Sequence, residues 1–173
     1  MIPRIPATAL AVLALGGTAV IAVQAPASAS TFSATYSCSV PIVGTKTATV
    51  DATLTASPNP ATAGSAVSFA LDVSSISLAP PLEVYSWSAT ADITGSGAES
   101  SSFDATGTGG ELPSGQDISN VDLSGSWTPS TDGTDTFVVG DINIDADVFL
   151  LGDVTVSCTP SGTQPTAETL TVG

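Results

Sequence analysis

From Phe32 onward the chain alternates between apolar and polar residues with a period of two, the pattern of strands that bury one face. Tyr36, Cys38 and Val40 share one side. After a turn at Gly44-Thr45, the residues Ala48, Val50, Ala52, Leu54 and Ala56 line up, with threonines and Asp51 on the other side. Ser57-Pro58-Asn59-Pro60 followed by Gly64 breaks the run. Val67, Phe69, Leu71 and Val73 form the next stripe, which slips and resumes at Ile76 and Leu78 before Pro80-Pro81 stops it. Tyr85, Trp87, Ala89, Ala91 and Ile93 then alternate with Ser86, Ser88, Thr90 and Asp92.

Between Thr94 and Asp117 the alternation weakens. Gly95, Gly97, Gly107, Gly109, Gly110 and Gly115 read as loops around a short strand near Phe103. Val121, Leu123, Gly125 and Trp127 resume the stripe, and Asp132-Gly133 reads as a hairpin-type turn. Phe137–Leu151 reads as one long strand or two consecutive ones, and Val154, Val156 and Cys158 complete the core. Beyond a linker from Pro160 to Pro165, Glu168–Val172 reads as a last short strand. No window carries a 3.6-residue apolar stripe. About eight to ten short strands with Gly/Pro turns predict an all-β fold, an immunoglobulin-like β-sandwich, with a closed barrel as the alternative.

The first residues have a different pattern. Arg4 precedes an apolar run over Ala7–Val23, and Ala27-Ser28-Ala29 has the small-x-small form of a signal-peptidase site. These features predict a secretory signal peptide over residues 1–29. The apolar run is shorter than the ~20 residues a spanning helix needs. The β-sandwich domain then covers 30–160, and 161–173 is a C-terminal tail. Cys38 and Cys158 are the only cysteines. In an oxidising compartment they are expected to form one disulfide between the first and last core strands, the competing state being two buried thiols.

Charge and composition narrow the chemistry. The 173 residues contain 2 Lys+Arg, 16 Asp+Glu and no histidine, for a net charge of −14. Nucleic-acid binding needs cations to displace phosphate counterions, so it is not expected. An anionic membrane surface is disfavoured for the same reason, and no membrane association is expected after signal cleavage. Without histidine, Ser-His-Asp and Cys-His catalysis are absent, and two cysteines alone make a poor zinc site.

The arrangement Tyr36-Ser37-Cys38, Pro41 and Gly44, the break over Pro58–Gly64, and a closing Gly152…Cys158-Thr159-Pro160 resembles a family of uncharacterised secreted β-sandwich domains of actinobacteria, a domain of unknown function. The resemblance covers roughly Phe32–Val172. It implies an exported, all-β, disulfide-bridged domain of a Gram-positive, high-GC organism, and it carries no assigned chemistry.

The sharpest candidate site is Asp141-Ile142-Asn143-Ile144-Asp145-Ala146-Asp147, whose oxygen spacing is similar to half of a calcium loop. Ala146 stands where that loop needs its turning glycine, and Gly152 where it needs a bidentate glutamate. Asp141, Asn143, Asp145 and Asp147 are therefore either a solvated acidic strand face or a weak divalent site completed by another loop. Trp87, Trp127 and Tyr85 are the aromatics that would suit carbohydrate stacking if exposed, but both tryptophans fall in phase with core residues. Lys46 sits beside a turn in a polar stretch, and Asp132-Gly133-Thr134 has the wrong order for an aspartic-protease signature. The Gly-rich stretch Thr94–Gly115 reads as an inert surface insertion or, as the alternative, as the best place for a binding loop. The expected function is a secreted, non-catalytic structural or interaction module of the cell envelope or medium, without cofactor, partnered by cell-wall glycan or another secreted protein. The alternative is a carbohydrate- or calcium-binding module.

Overall fold

A computed structural model describes residues 29–173. The expected signal peptide lies outside the described residues, except for Ala29. Nine strands follow one another with no helix among the described residues: β1 Ser30–Val40, β2 Gly44–Ser57, β3 Val67–Ile76, β4 Val84–Gly97, β5 Ser101–Gly109, β6 Ile118–Trp127, β7 Gly133–Val148, β8 Gly152–Pro160 and β9 Glu168–Val172.

All named ladders are antiparallel, in the order β4-β5-β6-β3-β2-β1-β8-β7-β9. β4 also pairs with β7, so the first eight strands form a closed ring and β9 adds to the free part of β7. The all-β reading is therefore correct. Strands around one core are compatible with a sandwich, while the continuous ladder gives the connectivity of a closed barrel. β7-β4-β5-β6 and β3-β6-β5-β4 are overlapping Greek keys.

The inward stripes meet in a single core. Leu54, Phe69, Leu71, Ile93, Phe137 and Leu170 are at most 1% exposed. Phe69 packs on Phe103 and Phe137 with ring centroids 4.7 and 4.8 Å apart, and Trp127 meets Phe137 at 5.6 Å. The slip after Val73 is a β-bulge at Ser74, opposite the step from Asp51 to Ala52. It returns Ile76 to the inner face. A second bulge, at Tyr85, has the opposite consequence for the expected stripe: Val84 turns inward and Tyr85 is 43% exposed.

Two other expectations are corrected. Asp132-Gly133 makes no hairpin, because β6 pairs with β3 and β5 whereas β7 pairs with β4, β8 and β9; residues 128–132 cross over the end of the ring. Thr94–Gly115 is also not a long loop. Gly95, Gly97, Gly107 and Gly109 lie inside β4 and β5, which form a hairpin. A Cβ on Gly107 would collide with the Asp122 carbonyl of β6, and one on Gly109 with the Trp87 ring. These glycines permit close approach where they were expected to break strands. β5 and β6 touch there through one register pair, Thr106 and Ser124.

The disulfide joins Cys38 of β1 to Cys158 of β8 at directly opposed register positions. It reinforces a ladder of only four residue pairs. Its partners are 120 residues apart in sequence, so reduction frees nearly the whole described chain. Replacing both cysteines by alanine should lower stability by about 4–5 kcal/mol in the chain-entropy account. Urea unfolding measures this directly, and a loss below about 1 kcal/mol would show that the seam holds without its bridge.

Beside the seam, the Tyr36 side chain is fully buried and its hydroxyl donates to the Val139 carbonyl at 3.3 Å. Val139 lies on β7 between the parts paired with β8 and β9. Burial, with a contribution from Asp141, raises the Tyr36 phenol to about 12. An unfolded tyrosine ionises near about 10, so the unfolded chain loses this proton first as pH rises. Stability is therefore expected to fall between about pH 10 and 12. Tyr36→Phe should remove that part of the slope, which alkaline unfolding followed by circular dichroism will test.

Candidate functional site

The two ends of the ring differ in chemistry. At one end lie the chain segments 58–66, 98–100, 128–132 and 161–167, together with β9. This end is closed by specific polar contacts. Glu99 Oε2 accepts hydrogen bonds from the Ser130 and Thr131 amides at 2.8 and 3.1 Å, which lower the pKa of its carboxyl. Asp135 is fully buried and accepts from the Glu99 amide at 2.9 Å. Glu168, 2% exposed, accepts from the Thr169 amide, yet desolvation still raises its pKa.

The opposite end carries the loops 41–43, 77–83, 110–117 and 149–151. All six large hydrophobic residues that are exposed among the described residues belong to this end: Ile42, Val43, Tyr85, Phe149, Leu150 and Leu151. Ile42 and Leu150 are 82% and 79% exposed. An apolar patch gathered at one end, as opposed to scattered single residues, marks an interaction surface.

Two of these loops are built alike. Val40-Pro41-Ile42-Val43-Gly44 and Val148-Phe149-Leu150-Leu151-Gly152 each close with a Val–Gly register pair around three residues. Each central residue has a positive φ, 70° at Ile42 and 67° at Leu150. Asn or Gly adopts this conformation at little cost, whereas a β-branched or bulky side chain is strained there. Two aliphatic side chains are thus held in water at strained turn positions, a placement that folding does not require.

Between these loops the ring opens into an apolar cavity of about 320 Å³. Its walls include Trp87, Leu112, Ile144, Ala146 and Val156, and all four loops contribute. The rim is tied together by backbone hydrogen bonds. Leu112 and Val84 exchange two, at 2.9 and 3.0 Å, the Gly115 amide donates to the Pro80 carbonyl, and the Phe149 amide donates to the Glu83 carbonyl. Tyr85 and Phe149 meet edge to face with centroids 6.2 Å apart. The result is a preformed concave site of the kind that takes small apolar groups.

Apart from Tyr85 and the Gly110–Gly115 end of the Gly-rich stretch, which belong to the rim just described, the residues singled out from the sequence fall elsewhere, with two exceptions. Asp141, Asn143, Asp145 and Asp147 alternate along the exposed outer face of β7, where same-side neighbours are about 6–7 Å apart. Asp145 accepts from the Thr155 hydroxyl and Asp147 lies opposite Asp153 on β8. No group of three metal-binding side chains converges among the described residues. Trp127 packs half-buried in the aromatic cluster, and the hairpin that replaces the expected binding loop lies on the body of the ring.

The first exception is Trp87, half-buried in a cavity wall. The second is Lys46. It stands opposite Cys38 in the β1–β2 register and two residues before Ala48, hence in the inward phase of the β2 stripe, at the cavity rim. The turn tips themselves were missed. Their signal is legible as Val-x-aliphatic-aliphatic-Gly occurring twice, with aliphatics where turns ordinarily carry Asn, Asp or Gly.

No protein-family model, curated protein or solved structure matches the chain. Among the described residues no helix is long and apolar enough to cross a membrane.

Replacing Ile42 and Leu150 together by Asn should relieve backbone strain and withdraw apolar surface from water. The double variant is expected to be more stable than the parent by about 1–2 kcal/mol, measured by urea unfolding. A loss of stability would show that the aliphatic tips hold the loops together.

Proposed function

We propose that the chain is a secreted, non-catalytic interaction module of the cell envelope or surrounding medium, and that it works by taking an apolar group of its partner into the cavity at its open end. One observation carries this reading: every exposed large hydrophobic among the described residues lies around one preformed apolar cavity. The disulfide is consistent with an oxidising, extracellular setting. The distribution of polar groups also supports binding. The buried carboxylates Asp135 and Glu168 lie at the closed end, and the four candidate metal ligands on the outer face of β7 do not converge. Calcium binding therefore has less support than capture of an apolar group. Carbohydrate stacking is less supported, since both tryptophans face inward and only Tyr85 and Phe149, packed edge to face on each other, leave aromatic surface exposed.

The test is saturable binding of an uncharged lipophile, 1-dodecanol below its solubility limit, followed by tryptophan fluorescence and thermal unfolding. Binding should raise the melting temperature in a concentration-dependent way, because the ligand stabilises only the folded state. Ala146→Phe, which fills the cavity from β7, should abolish the response, as should Ala79→Trp, which fills it from a loop outside the strands. A parent protein that shows neither a fluorescence change nor a thermal shift would overturn the proposal.

A further inference from the structure

The cavity rim has a charge pattern that the apolar walls alone do not explain. The chain carries 16 acidic residues; Glu83, Glu111 and Asp117 lie in the loops of this end, yet none of the 16 lines the cavity itself. Lys46, the sole basic side chain among the described residues, does line it. Its position is unusual for a solvated lysine. The β2 stripe runs Lys46, Ala48, Val50, Ala52, Leu54 and Ala56, and every member after Lys46 is buried. The lysine thus belongs to the inward phase of the stripe yet is exposed at the mouth, the placement in which a lysine stem can lie along apolar surface with its ammonium in water.

The other polar side chains of the cavity gather beside it. Only Thr47 and Ser77 join Lys46 among the lining residues; Thr47 is its neighbour on β2, in the opposite phase, and Ser77, just past β3, is hydrogen-bonded to β2 at Thr49. Ser77 is fixed there by two hydrogen bonds to Thr49. The Thr49 amide donates to Ser77 Oγ at 2.7 Å, and the Ser77 amide donates to the Thr49 carbonyl at 2.9 Å. With its oxygen accepting from the backbone, the Ser77 hydroxyl has its own proton free to donate. One cation and one hydroxyl donor therefore stand at one edge of an otherwise apolar cavity.

We infer that the cavity takes a single-chain aliphatic acid, with its hydrocarbon tail against Trp87, Leu112, Ile144 and Val156 and its carboxylate at Lys46 and Ser77. This rests on the reading of the open end as a site for apolar groups. Charge decides the head group. A single ammonium matches one negative charge, and an acidic protein opposes a head of higher charge. Size decides the tail. A cavity of about 320 Å³ lies near the lower end of small-molecule sites, which suits one chain rather than the two of a phospholipid.

Dodecanoate and 1-dodecanol have the same tail and differ in the head, so their comparison isolates the assignment. Both are titrated into the disulfide-oxidised protein below their aggregation limits, with Trp fluorescence and isothermal calorimetry as readouts. Dodecanoate should bind about tenfold more tightly than the alcohol, the size expected of one charge-assisted hydrogen bond. Lys46→Met should bring the two affinities together, Lys46→Arg should keep them apart, and added salt should narrow the gap. Ser77→Ala should reduce the preference in part. Equal affinities in the parent, or a preference that survives Lys46→Met, would overturn the head-group assignment while leaving the apolar site standing. Binding of neither compound would remove the apolar site and this inference together.

Discussion

The ring closes through β7, whose Gly133–Val148 backbone pairs with β4 along one edge and with β8 and then β9 along the other. Its sixteen residues give both edges partners over most of their length. Where the β8 ladder ends and before the β9 ladder begins, the Val139 carbonyl is met by the buried Tyr36 hydroxyl. That phenol comes from β1, two residues before Cys38, so the same short segment supplies both the disulfide and the hydrogen bond. Closure shortens the free sheet edge of the ring, which limits edge-to-edge pairing in an all-β chain. Without β7 and the β1–β8 seam, the inward stripes would have no opposite wall to pack against.

Closure leaves two ends, and the sequence treats them differently. At one end β9 brings Ala167, Leu170 and Val172 into the core, and Glu99 ties its own turn to the crossover before β7. The C-terminal tail is therefore part of the folded body. At the other end no strand among the described residues covers the opening. Backbone hydrogen bonds at Leu112, Pro80 and Glu83 tie three of the four loops together, which shapes the mouth. The exposed tips of two similarly built turns stand beside it. Buried polar groups collect at the closed end, and exposed apolar groups at the open one, the reverse of what simple burial of hydrophobic surface would give.

Much of this architecture is legible in the sequence, because period-two alternation reports directly on which face of a strand is buried. The stripes of β1, β2, β3, β6 and β7 follow from it, and even the bulge at Ser74 shows as a slip in phase. The bulge at Tyr85 does not, since Tyr85 and Trp87 are in register by sequence and only the extra residue in β4 separates their surroundings. The β4–β5 hairpin is hidden for a related reason. A glycine that breaks a strand and one that admits a neighbouring ring look identical in one dimension, and Gly109 is of the second kind. The site is hidden because it depends on pairing. Lys46 looks like a polar residue near a turn until the β1–β2 register sets it opposite Cys38. The turns at Ile42 and Leu150 are separated by more than a hundred residues and come to one cavity only because β8 returns to β1.

The central claim is that binding occurs at the open end of the ring. Backbone amide chemical shifts of the isotope-labelled protein, recorded with and without an alkyl ligand, locate the contact without assuming its chemistry. The account predicts that shifts concentrate in Val40–Lys46, Ser77–Val84, around Leu112 and in Val148–Val156. Shifts confined to the closed end around Glu99 and Glu168, or to the outer face of β7 at Asp141–Asp147, would contradict it.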